Sequence, residues 1–224
     1  VVSEKKKILI LGAGRQQVPL IVAAIKMQLE VHVCSIPGDY PGIEIAPNFH
    51  ETDISDSTAV LELSKKIGIH GIITTGNDVC LESIGVVVDG LNLHGTGLES
   101  SKSCLNKTLM KGRFSRFNVP TANYALIESV ESATEFFNYH SSACVIKPAD
   151  SSGSRGVNRI ESVSEIHPAL VEAKKYSSSG EIIIEEWVEG EEFGAQAIIV
   201  DGKLEKLMLH SDITTPPPRR IPIG

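Results

Sequence analysis

The 224 residues are 42% apolar and 22% charged, enough to bury a core in one large domain or two small ones. Lys and Arg number 21 against 28 Asp and Glu, for a net charge of −7. That balance argues against nucleic acid and against a membrane surface as partners, while leaving room for a local basic pocket.

No run of apolar residues is long enough for a membrane span, and Lys5 to Lys7 lead straight into a short strand without a signal-peptide pattern. The apolar run through Leu11 ends at Gly12-Ala13-Gly14, and Val18 to Leu29 then carries apolar residues at helical spacing. Val31 to Cys34 reads as a strand, Val60 to Ile67 as a helix, and Gly71 to Thr74 as a further strand. This β-α-β order predicts a parallel sheet with right-handed crossovers. A dinucleotide site is one reading of Gly12-x-Gly14. Two features count against it: Gln17 stands where the third glycine of that fingerprint belongs, and Cys34-Ser35 stand where a ribose-binding acid belongs. Thr74 to Asp78 lie at the carboxyl end of a strand, where Asp78 is expected to cap the next helix or contact a ligand.

Ser101 to Phe117 is expected to be one helix, capped by Ser100 or Ser101 and broken at Asn118-Val119-Pro120. Lys107 and Lys111 lie one turn apart on it, ordinarily a solvated pair. Beyond Thr121 the elements shorten: a strand to Leu126, a helix over Val130 to Tyr139, a strand at Cys144 to Lys147 and a helix over Val163 to Lys175. A strand then runs into Glu185-Glu186-Trp187-Val188, and a hairpin turns at Asp201-Gly202. Cys34, Cys80, Cys104 and Cys144 form no C-x-x-C pair and the seven His residues are scattered. Neither zinc nor a disulfide framework is predicted, and the cytoplasm is the natural compartment.

The stretch after Lys147 carries the most chemistry. Pro148 ends the strand, and Ser151-Ser152-Gly153-Ser154-Arg155-Gly156 follows: small residues whose backbone can approach an anion and offer N–H groups, flanked by two cationic side chains. The same composition also suits a plain surface turn.

Four segments in order, Asn106 to Lys111, Val145 to Pro148, Ser151 to Val157 and Ile183 to Phe193, resemble the ATP-grasp superfamily, on its carbamoyl-phosphate-synthase and biotin-carboxylase side. No P-loop pattern is present. The resemblance implies a Rossmann-like amino-terminal domain over 1–100, an α+β ATP-grasp lobe with a phosphate loop over 101–188, and the beginning of a second lobe over 189–224. It implies that Lys107 and Lys147 reach the phosphates of ATP and that Ser151, Ser152, Gly153, Ser154, Arg155 and Gly156 close over them. Adenine is implied to lie against Glu185, the carbonyl of Glu186, Trp187 and the amide of Val188, with Glu192 on the ribose.

The implied reaction is ATP-dependent ligation of a small carboxylate and an amine through an acyl phosphate, with Mg2+ on the phosphates. The metal-binding acids and catalytic arginine of such enzymes are expected beyond Gly224. Asp212 falls too early to match them, and Arg219 and Arg220 sit in a Pro-rich stretch. The chain therefore reads as carboxyl-terminally truncated and not competent alone, with exposed apolar surface that could favour a homo-oligomer. A non-catalytic nucleotide-binding module is the alternative class.

Overall fold

The computed structural model describes residues 5–140, 142–211 and 213. The chain divides into two compact units, Val1–Leu105 and Asn106–Gly224. Asp212, Arg219 and Arg220 lie outside the described residues.

In the first unit, β1 (Lys7–Leu11), β2 (Glu30–Ser35), β3 (Asn48–Glu51) and β4 (Gly71–Ile73) form one parallel sheet in the order β3-β2-β1-β4. Its central strands are buried on both sides, which is why Ile8 to Leu11 and Val31 to Cys34 read as unbroken apolar runs rather than alternating ones. Helices α1 (Val18–Lys26) and α2 (Pro41–Ile45) pack against Ile10, Val31 and Val33 on one face. Helices α3 (Ser57–Ile67) and α4 (Leu81–Leu91) pack against Leu9, Leu11 and Cys34 on the other. Helix α5 (Leu98–Leu105) lies so close to α4 that a Cβ on Gly85 would stand 2.6 Å from the Leu98 Cα.

The turn after β1 shows what Gln17 does in place of a third glycine. Its side chain is buried, accepts a hydrogen bond from the Gly14 N–H at 2.9 Å, and donates to the Thr75 carbonyl. Gln17 thereby ties the Gly12 turn to the loop after β4. At the end of β2, Cys34 is fully buried and its thiol is pushed up to about 11 by burial, so neutral groups occupy the position of the ribose-binding acid. Asp78 does not cap the next helix: Cys80 stands at the cap position of α4, which has no side-chain cap.

In the second unit, α6 (Lys107–Arg116) precedes β5 (Tyr124–Ile127), α7 (Val130–His140), β6 (Cys144–Pro148), β7 (Asn158–Ile160), α8 (Ile166–Tyr176) and β8 (Ile182–Glu186). The strands form an antiparallel sheet in the order β5-β8-β6-β7. Strand alternation then sorts its side chains. Cys144, Ile146, Ile160, Ile182 and Ile184 face the core beneath α7 and α8. Tyr124, Leu126, Val145, Lys147, Arg159, Ile183 and Glu185 share the opposite face by register.

The single helix expected over Ser101 to Phe117 is two. Asn106 has extended backbone, and its side chain accepts from the N–H groups of Thr108 and Leu109, so it begins α6 as a cap. The closing hairpin, β9 (Phe193–Val200) and β10 (Lys203–Ser211), turns at Asp201 and Gly202, both with positive φ, as a two-residue turn of this hand requires. Nearly all of its residues are exposed.

Candidate functional site

The loop leaving β6 is anchored at its base and bare at its tip. The Ala149 N–H donates to the Glu181 carbonyl at 3.0 Å, and the Ala149 carbonyl accepts from the Lys107 N–H at 2.8 Å. Asp150 accepts from the Ser177 hydroxyl at 2.9 Å and the Ser179 N–H at 2.6 Å. Burial pushes the Asp150 carboxyl up, but these hydrogen bonds outweigh it and leave the group below its usual value. Gly153, Ser154 and Gly156 all have positive φ. Around Gly153 there is open space, whereas a Cβ on Gly156 would stand 3.0 Å from both Pro148 Cγ and Tyr176 Cδ2. Gly156 lets the loop return onto α8, and Gly153 lets its exposed tip turn.

Lys107 reaches this loop from the first turn of α6. Its Nζ donates to the Ser151 carbonyl at 2.6 Å and lies 3.5 Å from the Ala149 carbonyl. Asn106 donates from Nδ2 to Glu181 Oε2 at 2.9 Å, a further link between the start of α6 and the base of the loop. The Ser151 hydroxyl is buried and has no hydrogen-bond partner among the described residues. An unsatisfied hydroxyl beside a glycine-bearing loop suits an acceptor oxygen, as a phosphate supplies. Ser152, Ser154 and Arg155 are exposed, and Arg155 Nε donates to the Ser152 carbonyl at 3.1 Å.

On the polar face of the sheet, Lys147 Nζ lies 2.9 Å from Glu185 Oε1, an ion pair whose geometry falls short of a hydrogen bond. Lys111 Nζ lies 3.4 Å from the other oxygen of the same carboxylate. Lys111 is 4% exposed, not the solvated half of a helix-surface pair. Burial pulls its ammonium pKa down, and the Glu185 charge opposes that pull. Sequence reading missed its role because helical spacing places Lys111 beside Lys107 without showing that Glu185 stands beneath it.

The strand end after Glu185 is also ordered. Glu186 accepts at its carboxylate from the Asn123 N–H at 3.1 Å and Asn123 Nδ2 at 3.0 Å, which holds its pKa below the usual value. Trp187 is half-buried, donates from Nε1 to Glu189 Oε1 at 2.5 Å, and has the Arg159 guanidinium 4.5 Å from its ring centroid. Arg159 was not legible because Asn158 to Ile160 is too short and polar to announce a strand. Val188 and Glu192 are exposed. The structure thus brings Lys107 to Ser151 and Lys147 to Glu185, and sets Trp187 on the same side of the sheet; Arg155 and Glu192 stand out in solvent. A cavity of about 660 Å³ beside Asn118, Tyr124, Phe136, Tyr139 and His140 includes none of the loop residues.

A family model described as phosphoribosylglycinamide synthetase, ATP-grasp (A) domain, matches residues 105–213. The chain is 25% identical to a phosphoribosylamine–glycine ligase of Neisseria meningitidis, over 88% of this chain and 47% of that protein. It is 28% identical to a ligase of the same name from Lactococcus lactis, over 92% of this chain and 50% of that protein. The crystal structure of phosphoribosylglycinamide synthetase from Anaerococcus prevotii superposes with a TM-score of 0.78 at 26% identity, covering 98% of this chain and 55% of that one. The fold is shared with N5-carboxyaminoimidazole synthetase from Staphylococcus aureus complexed with ADP, at a TM-score of 0.77 and 13% identity, covering 98% of this chain and 57% of that one. The chain spans about half the length of the curated relatives it matches.

Proposed function

We propose that the protein is an ATP-grasp ligase that binds ATP on the face of its antiparallel sheet that carries Lys147 and Glu185, a reading supported by the family-model match over residues 105–213. One observation carries the reading: the loop Ser151 to Gly156 is braced by Lys107 at the edge of the face that holds Lys147 and Glu185. In this reading Lys107, Lys147 and the backbone of the Ser151 to Gly156 loop would take the triphosphate, and the half-buried Trp187 at the strand end would take the purine. Glu186, through its carbonyl, and Val188, through its N–H, would read the edge of the base. Glu192 would accept from the ribose hydroxyls.

The reaction we propose has two steps. A carboxylate oxygen of one substrate attacks the γ-phosphorus of ATP, ADP departs, and an acyl phosphate remains; the nitrogen of an amine then attacks the acyl carbon, phosphate departs, and the amine loses a proton. The loop amides, Lys107 and Lys147 stabilise charge on the transferring phosphoryl group. The matched ligases named for phosphoribosylamine and glycine favour substrates of that class, a small carboxylate and a sugar-phosphate amine.

Magnesium would travel with the phosphates. Among the described residues no three His, Cys, Asp or Glu side chains come together to hold a metal. We also propose that the 224 residues alone bind nucleotide weakly and do not turn over, since they span about half the length of the ligases they match. The hairpin from Phe193 we assign to the second lobe of the grasp. No helix among the described residues is long and apolar enough to cross a membrane; with four free cysteines, three of them buried, we place the protein in the cytoplasm.

Thermal unfolding with added nucleotide tests the binding reading. ATP or ADP should raise the midpoint, NADH should not, and Lys147→Ala should abolish the rise. Protection by NADH and not by ATP would sink it, and steady ADP release by these 224 residues would sink the claim of incompetence.

A further inference from the structure

Lys111 is buried on the polar face, and the binding reading gives it no contact with nucleotide. Its ammonium hydrogens face three acceptors: Thr121 Oγ1 at 2.8 Å, the Ala122 carbonyl at 3.0 Å and Glu185 Oε2 at 3.4 Å. Tyr124 adds the face of its ring at 5.2 Å. Lys111 is therefore held from the chain entering β5 as well as from β8. Lys147 differs. Its side chain is 20% exposed against 5% for Lys111, and its ion pair to Glu185 lacks hydrogen-bond geometry.

One carboxylate thus stands between a buried cation that two further acceptors hold and a more exposed cation 2.9 Å away. Glu185 is 8% exposed, and a carboxylate so placed is costly to leave without a counter-ion. If Lys147 were its single partner, any movement of Lys147 toward an incoming anion would strand that charge. With Lys111 in place the charge stays paired.

We propose that Lys111 is a positioning residue: as the permanent counter-ion of Glu185, it frees Lys147 to move onto a phosphate-bearing ligand. The ligand's identity rests on the ATP-binding reading; the sharing of Glu185 does not.

The test uses the 224-residue chain and the variants Lys111→Met, Lys111→Gln, Glu185→Gln and Lys111→Met with Glu185→Gln. The first readout is the rate at which an amine-directed ester acylates Lys147, measured by peptide mass spectrometry without ligand. Removing Lys111 should leave Glu185 to Lys147 alone and slow its acylation by about three- to tenfold, because an amine held as an ion pair is a poorer nucleophile. Adding Glu185→Gln should restore the rate, which repair of a merely structural defect would not do. Lys147 acylated at the parent rate in both single Lys111 variants overturns the proposal. Lys111→Gln keeps an amide that can donate to Thr121 or Ala122, so it carries the test if Lys111→Met does not fold.

The second readout is ATP affinity by calorimetry. Lys111→Met should weaken it about tenfold, and the double variant should match Glu185→Gln alone. Equal ATP affinity in the parent and Lys111→Met also overturns the proposal. A parent chain that binds no ATP defeats the binding reading instead, and the acylation rates then decide the role of Lys111 without it.

Discussion

The Lys107 ammonium donates to the carbonyl of Ser151 across 2.6 Å, so the helix that opens the second unit holds the first residue of the glycine loop. In this state the lysine braces the loop from below. Lys107→Ala should cost about 1.5–2 kcal/mol, the lower part of the range for hydrogen bonds from charged groups, because the side chain is only half-buried. Hydrogen exchange at residues 151–156 should speed up while exchange in β6 and β8 stays slow. Uniform acceleration across the sheet would contradict a local bracing role.

Gly153 and Gly156 share a positive φ but not their surroundings. Gly153→Ala should cost about 1–2 kcal/mol, the penalty of left-handed backbone for an alanine. Gly156→Ala adds a clash with Pro148 and Tyr176 and should cost about 2–4 kcal/mol. Urea unfolding of both variants checks the order, and equal losses would show that the loop can lift off α8 freely.

Acid should loosen the base of the loop through Asp150. Although burial opposes them, hydrogen bonds from Ser177 and Ser179 hold its folded pKa below the ordinary aspartate value. A depressed carboxylate pKa contributes stability that is present above the unfolded value and is lost as pH falls through the folded value. Asp150→Asn should therefore be less stable than the parent near neutrality, with the gap closing below about pH 4. Glu186, held low by the Asn123 hydrogen bonds, adds a loss of the same sign. Chemical unfolding at a series of pH values with and without the substitution isolates the Asp150 share.

Thiol chemistry should distinguish Cys104 from the rest. Cys104 is exposed, whereas Cys34, Cys80 and Cys144 are buried and each has its pKa raised by burial, Cys34 to about 11. Iodoacetamide at mildly alkaline pH should label Cys104 alone in the folded chain and all four after denaturation. Rapid labelling of Cys34 in the folded chain would show that β2 opens.

The parallel sheet was legible because its central strands are apolar throughout and its turns carry glycine. β3 was not, since Asn48, His50 and Glu51 leave one apolar residue in an edge strand. The break between α5 and α6 was hidden by a periodicity that runs through Asn106, although an asparagine with amides two and three residues ahead is a cap signal. In the site, Lys147 and the loop could be read from the chain because strand, proline, serine and glycine are consecutive. The link from Lys111 to Glu185 joins residues far apart in sequence and had no local mark.

Alternation along β8 has a consequence for how this region tolerates change. Ile182 and Ile184 hold the core and Glu185 faces the cations, so neighbouring positions answer to different demands. Saturation mutagenesis of β6 and β8 scored separately for abundance and for ligand response should give two interleaved combs of sensitive positions, offset by one residue. Binding preference can then be retuned along one comb without loosening the other.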